Sequence, residues 1–131
     1  MSLLAWKPEY SVGVPSVDDE HRELIDLINV VYDELDGRCD SVSVDEFLGD
    51  IHAVISQHFA LEEQLMRAAG YDSYAAHKDD HEELLDQIRD LMDVVADAPN
   101  RGLEQLRKRL SDWFSGHFST HDARLHGKLG I

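Results

Sequence analysis

Cysteine is nearly absent: Cys39 stands alone in 131 residues. That excludes an internal disulfide and a metal site built on cysteine. The first residues, Met1-Ser2-Leu3-Leu4-Ala5-Trp6-Lys7-Pro8, carry neither a basic segment nor an apolar one of the secretory kind, so a reducing cytoplasm is the expected location. No apolar run approaches the roughly 20 residues that cross a bilayer, and no membrane insertion is expected. Basic residues are scarce as well. Twelve Lys and Arg face 27 Asp and Glu, a formal net charge of −15, which argues against nucleic acid or an anionic membrane as partner. Only three prolines occur, and they mark boundaries. Pro8 and Pro15, with Gly13, break residues 1–15 into an irregular arm that Trp6, Tyr10, Val12 and Val14 pack onto the body. Pro99 closes a helix. Histidine, by contrast, is abundant: eight residues, which directs attention to metals or proton chemistry. A hydrophobic content of 43% and a charged content of 30% suit one soluble globular domain with a real core.

Apolar spacing predicts an all-α chain. Ser16-Val17-Asp18-Asp19 resembles a capping box, and a first helix follows to about Asp36, where Gly37 stops it. Its seam is Val17, His21, Leu24, Ile28, Val31 and Leu35. Arg38 to Val42 reads as a connection. Ser43-Val44-Asp45-Glu46 reads as a full capping box opening a second helix to about Ala69, ended by Gly70. The inner stripe of this helix is Ile51, Val54, Ile55, His58, Glu62 and Leu65. Ser73 is a plausible cap for a third helix, with His77, His81, Leu84, Ile88, Leu91 and Val95 on one side and Pro99 and Asn100 in the turn after it. A fourth helix begins near Arg101 with Leu103, Leu106, Leu110, Trp113 and His117 on one side, and ends between Ser119 and Gly127. Four amphipathic helices with short connections imply an antiparallel up-down-up-down four-helix bundle over residues 16–127, behind the arm, as a single domain of residues 1–131.

Antiparallel packing puts the starts of helices one and three level with the ends of two and four. His21 lies early in helix one, His58 and Glu62 late in helix two, His77 and His81 early in helix three, and His117 late in helix four. All six therefore meet at one height in the core. Five imidazoles and a carboxylate there would either repel one another when protonated or lack partners when neutral. Coordinated metal removes both difficulties. The donors exceed one tetrahedral zinc site and suit two adjacent ions, with iron the leading candidate and manganese, copper or zinc also compatible. The Glu-x-x-His pairs of ferritin-like di-iron proteins are missing; the chain has His58-x-x-x-Glu62 and His77-x-x-x-His81.

This pattern resembles the hemerythrin family, more closely its single-domain bacterial branch, the bacteriohemerythrins. The resemblance covers nearly the whole chain. It takes in Trp6 and Tyr10-Ser11-Val12-Gly13-Val14, Asp18-Asp19-Glu20-His21, and His58-Phe59 through Glu62-Glu63. It continues with Tyr71 through His77 to His81, and Trp113 to His117 and Asp122. It implies an oxo- or hydroxo-bridged di-iron centre that binds O₂ reversibly. His77, His81 and His117 would hold one iron and His21 and His58 the other, with Glu62 and Asp122 bridging and O₂ at the second iron. Glu20 departs from the glutamine expected there and reads as a surface detail. Asp122 rests on the resemblance alone. On an ideal helix it lies roughly 140° around from His117, while His121 shares the His117 face, so a local distortion is needed to bring Asp122 inward. His52 and His126 read as surface histidines. Leu24, Phe59, Trp113, Phe114 and Phe118 are ordinary core, and also a dry pocket over the open iron. The expected role is O₂ carriage, storage or supply by a monomeric binding protein rather than a catalyst. The alternatives are an O₂- or redox-sensing module signalling to a separate protein partner, di-iron peroxidase or NO chemistry, and a helical interaction protein with structural metals.

Overall fold

The computed structural model describes residues 3–11 and 15–129. Four long helices run up and down: α1 (Pro15–Leu35), α2 (Ser41–Ala68), α3 (Tyr74–Asp97) and α4 (Pro99–His117). A π turn, Phe118–Asp122, follows α4 directly, and α5 (Ala123–Leu129) prolongs the same rod. The last helix thus continues past the Ser119–Gly127 window expected for its end. Side-chain packing of Val12, Val14 and Val17, the Ser16 cap and the placement of His126 concern groups outside those described.

Several boundaries follow from named hydrogen bonds. Pro15, expected as a breaker in the arm, instead opens α1, where its missing N–H costs nothing. At the other end Asp36 and Gly37 take positive φ values of 52° and 73° and turn the chain, while Arg38 donates to the Leu35 and Glu34 carbonyls. The capping box expected at Ser43 is displaced: the N-cap of α2 lies three residues earlier, at Asp40, whose carboxylate accepts from Ser43 N at 2.8 Å. Gly70 ends α2 as expected, with φ 62°. The Gly70 and Tyr71 N–H groups reach back to Arg67 O and Met66 O, the two bonds of a Schellman ending, and Met66 packs on Tyr71. Ser73 does precede α3, but its hydroxyl makes no capping bond. Pro99 and Asn100 are not a turn. Pro99 is the first residue of α4, and Ala98 alone links α3 to α4.

The core lies along the bundle axis. Leu24, Ile28, Ile51, Ile55, Leu84, Ile88, Leu106 and Leu110 are fully buried, as the spacing of the apolar residues requires. Leu65 is the exception: it is 40% exposed, and Met66 is buried in its stead. The arm lies across α1 and α4. The Asn29 side chain on α1 pairs with both backbone groups of Leu4, and Arg107 on α4 donates to Leu3 O. Tyr10 is buried with its ring edge-on to Phe114 and Phe118, and its hydroxyl meets Ser111.

Candidate metal centre

Bundle geometry brings the predicted residues together at the end where α1 and α3 begin and α2 and α4 finish. Donor atoms of Glu62, His77, His81, His117 and Asp122 all lie within 4.8 Å of one another. Glu62 Oε1 is 2.7 Å from His77 Nε2 and 3.2 Å from His81 Nε2. Asp122 Oδ1 is 2.9 Å from His77 Nε2 and 2.8 Å from His117 Nε2. The other oxygen, Oδ2, is 3.0 Å from His21 Nε2. His21 and His58 lie outside the five-residue cluster: His21 is buried on α1 and reaches it through Asp122, and His58 is half-buried on α2, facing a groove between α1 and α2.

Asp122 reaches the interior because the backbone changes step. In the π turn, Ala123 N donates to Phe118 O, five residues back, so a residue five after His117 returns over it. Hydroxyls support the change: Ser119 donates to Ser115 O and Thr120 to Gly116 O, giving partners to carbonyls where the helical ladder is interrupted. This is the distortion that the sequence required. His121 is displaced to the flank, 35% exposed, with its Nε2 3.9 Å from Asp80. His52 is also remote from the centre, though half-buried rather than on the surface as expected.

Two carboxylates escaped the sequence reading. Glu63 Oε2 lies 3.0 Å from His81 Nδ1, and Asp80 Oδ2 lies 2.5 Å from His117 Nδ1. Each carboxylate favours a proton on Nδ1, so that in the neutral ring Nε2 would present its lone pair to the centre. Both pairings cross from one helix to the next, so spacing along a single helix does not reveal them.

Electrostatics matches a site for cations. Burial alone would lower His77, but the Asp122 and Glu62 carboxylates outweigh it and push it up to about 9. His117 is likewise raised against its burial, by Asp122 and Asp80. Asp122 is held well below the ordinary carboxylate range despite burial, by His117, His21 and His77. His58 is lowered by burial, which keeps it neutral with a free lone pair. Protons thus stand in for metal charge. They do so incompletely: Glu62 Oε1, His81 Nε2 and Asp122 Oδ1 are buried and lie 2.7–3.2 Å from imidazole or carboxylate atoms of the cluster, yet none makes a well-aligned hydrogen bond among the described residues. His77 Nε2 and His117 Nε2 also face each other at 3.1 Å. Buried orphan donors and acceptors are costly, and these converge on one point. Imidazoles and carboxylates in this ratio fit a pair of divalent or trivalent first-row ions.

Aromatic rings cover three of the imidazoles. Phe59 stacks on His81 at 3.9 Å, Trp113 on His117 at 4.0 Å and Phe118 on His21 at 3.7 Å. Phe114 stacks behind Phe118 at 4.9 Å, and Leu24 is buried beside the groove at His58. Trp113 therefore belongs to the three-histidine side, not over His21 and His58.

A family model, the hemerythrin HHE cation binding domain, matches residues 12–129. The bacteriohemerythrin of Stenotrophomonas maltophilia (strain R551-3) is 30% identical over 93% of this chain and 78% of its own. The myohemerythrin of Sipunculus nudus is 27% identical over 95% of this chain and 92% of its own. A crystal structure of a hemerythrin point mutant superposes with a TM-score of 0.69 at 26% identity, covering 98% of this chain and 97% of that one. With the match extending over nearly all described residues, and with a histidine–carboxylate cluster at one end of the bundle, the chain belongs to the hemerythrin family.

Proposed function

We propose that His77, His81 and His117 hold one iron, that His21 and His58 hold a second, and that Glu62 and Asp122 serve both. The iron pair supplies reversible O₂ binding, at the two-histidine side where the ligand count leaves a position open. The observation that carries this reading is Asp122, whose Oδ1 faces His77 and His117 while Oδ2 faces His21. One carboxylate addressing two sets of imidazoles is what a bridge requires, and an imidazole at that position could not do it.

The surrounding residues have separate tasks. Glu63 and Asp80 fix the tautomer and ring orientation of His81 and His117. Phe59, Trp113 and Phe118 lie flat on three imidazoles and exclude water there. A low-dielectric surround at those three rings disfavours charge separation there. Family membership supports an O₂-binding protein used for carriage, storage or supply rather than a catalyst. Among the described residues no helix is long and apolar enough to cross a membrane.

Iron-loaded, reduced protein should hold two irons per chain. It should gain a visible absorption band in air and lose it on deoxygenation, over repeated cycles. One iron per chain in a fully loaded sample would refute the dinuclear site. Oxidation to a ferric form that deoxygenation cannot reverse would refute the carrier role.

A further inference from the structure

We propose that the groove between α1 and α2 is the route by which small ligands reach the His58 side of the centre, and that Glu20 and Glu23 make it selective for uncharged ligands over anions. The proposal rests on the iron assignment above and adds the path and its filter.

The groove encloses about 530 Å³. Its floor is Leu24, Val54, His58 and Glu62, and Leu27, Leu61 and Leu65 form apolar walls. Coverage of the other imidazoles is what singles it out. His81, His117 and His21 each carry a stacked aromatic ring. His77 packs among His81, His117 and His121 at centroid distances of 4.6, 4.7 and 5.5 Å. Among the described residues the ring nearest His58 is a tilted Phe59 at 6.3 Å, and His58 lines the groove. Beside it, Glu62 also lines the groove and is 11% exposed, while its Oε1 faces His77 and His81 at 2.7 and 3.2 Å, so the groove leads to the carboxylate that touches the centre.

Charge at the rim is of one sign. Glu20 and Glu23 are exposed and line the groove, and among the described residues no Lys or Arg lines it. Arg22, between them in sequence, has its guanidinium over Trp6 at 4.6 Å, on the arm. Glu20, a surface detail in the sequence, therefore has a defined position. An apolar passage admits O₂ without penalty. An anion must pass two carboxylates and then meet Glu62, on a chain of net charge −15.

The test uses iron-loaded protein in a stopped-flow instrument, with azide binding to the diferric form as the anion probe and O₂ binding to the diferrous form as the neutral one. Glu20→Gln/Glu23→Gln should speed azide association by roughly tenfold at low ionic strength and by less than about twofold near 1 M salt, with O₂ association unchanged. Leu61→Trp, a wall substitution at a position 63% exposed, should slow both ligands several-fold with iron content unchanged. An azide rate in the double variant equal to that of the parent at low salt would overturn the filter. Unaltered rates for both ligands in Leu61→Trp would overturn the route. Neither outcome depends on whether O₂ is released reversibly, because the azide spectrum reports the occupied centre directly.

Discussion

Replacing Asp122 and His121 in turn separates the π-turn register from a regular helix. The Asp122 side chain is 2% exposed and its oxygens lie 2.8–3.0 Å from His117, His77 and His21. Asp122→Ala removes a carboxylate whose two oxygens address both halves of the centre, together with the negative charge that favours the protonated forms of His77 and His117 without metal. Removing one partner of a buried ionic group costs about 3–5 kcal/mol. The lower end applies here, because His77 and His117 can each shed a proton to the solvent. A loss of about 3 kcal/mol in a domain of this size corresponds to a fall in Tm of roughly 10 °C. His121 is 35% exposed, 3.9 Å from Asp80, with its ring centroid 5.3 Å from that of His117 and 5.5 Å from that of His77 but no donor atom in the cluster. His121→Ala should therefore stay within about 0.5 kcal/mol of the parent. Thermal unfolding of both metal-free variants, followed by iron analysis after loading, gives the comparison. Asp122→Ala should retain at most one iron and His121→Ala two. The reverse pattern, with iron lost from His121→Ala and two irons in an Asp122→Ala protein that melts normally, would refute the register described above.

Stability of the metal-free protein should depend on pH through His77, which is raised from 6.5 to about 9. A raised imidazole stabilises fully below pH 6.5 and ceases to do so as pH rises through 9, so urea midpoints should fall across that window; a flat profile would contradict the imidazolium network. Iron loading at pH 7 must displace protons from His77 and His117, and an indicator dye in weak buffer should record roughly two released per chain. Asp80→Asn removes the carboxylate that holds His117 Nδ1 and should weaken iron binding about 10–100-fold in chelator competition, with little change in the helical CD signal. Gly102→Ala should destabilise by about 1–3 kcal/mol in urea although alanine favours helix, because the added Cβ would stand 2.4 Å from Val95 Cγ2 where α3 meets α4.

Periodicity made the bundle legible, along with six of the seven proposed ligands. His21, His58, Glu62, His77, His81 and His117 repeat with the apolar seams of their own helices, and antiparallel order puts them level. Asp122 is different in kind. An extra residue per turn is a backbone event, and its sequence signal is slight: Ser119 and Thr120, whose hydroxyls reach the carbonyls at the break. Resemblance supplied that residue where periodicity preferred its neighbour. The boundary errors have a similar source. Asp40 and Ser43 both have side chains able to cap, and two candidates three residues apart are not ranked by type; the bond from Asp40 to Ser43 N ranks them. Pro99 is compatible with either the end of one helix or the start of the next, and with a single residue between α3 and α4 it serves as the start. Glu63 and Asp80 show a limit of another sort. A ligand histidine's own helix says which way its ring points, but the carboxylate that fixes its proton comes from the adjacent helix, at a position set by interhelical packing. The groove at His58 has the same origin. Leu65 belongs to the expected apolar stripe of α2, yet it is left 40% exposed and, with Leu61 at 63%, stands as a wall of a passage.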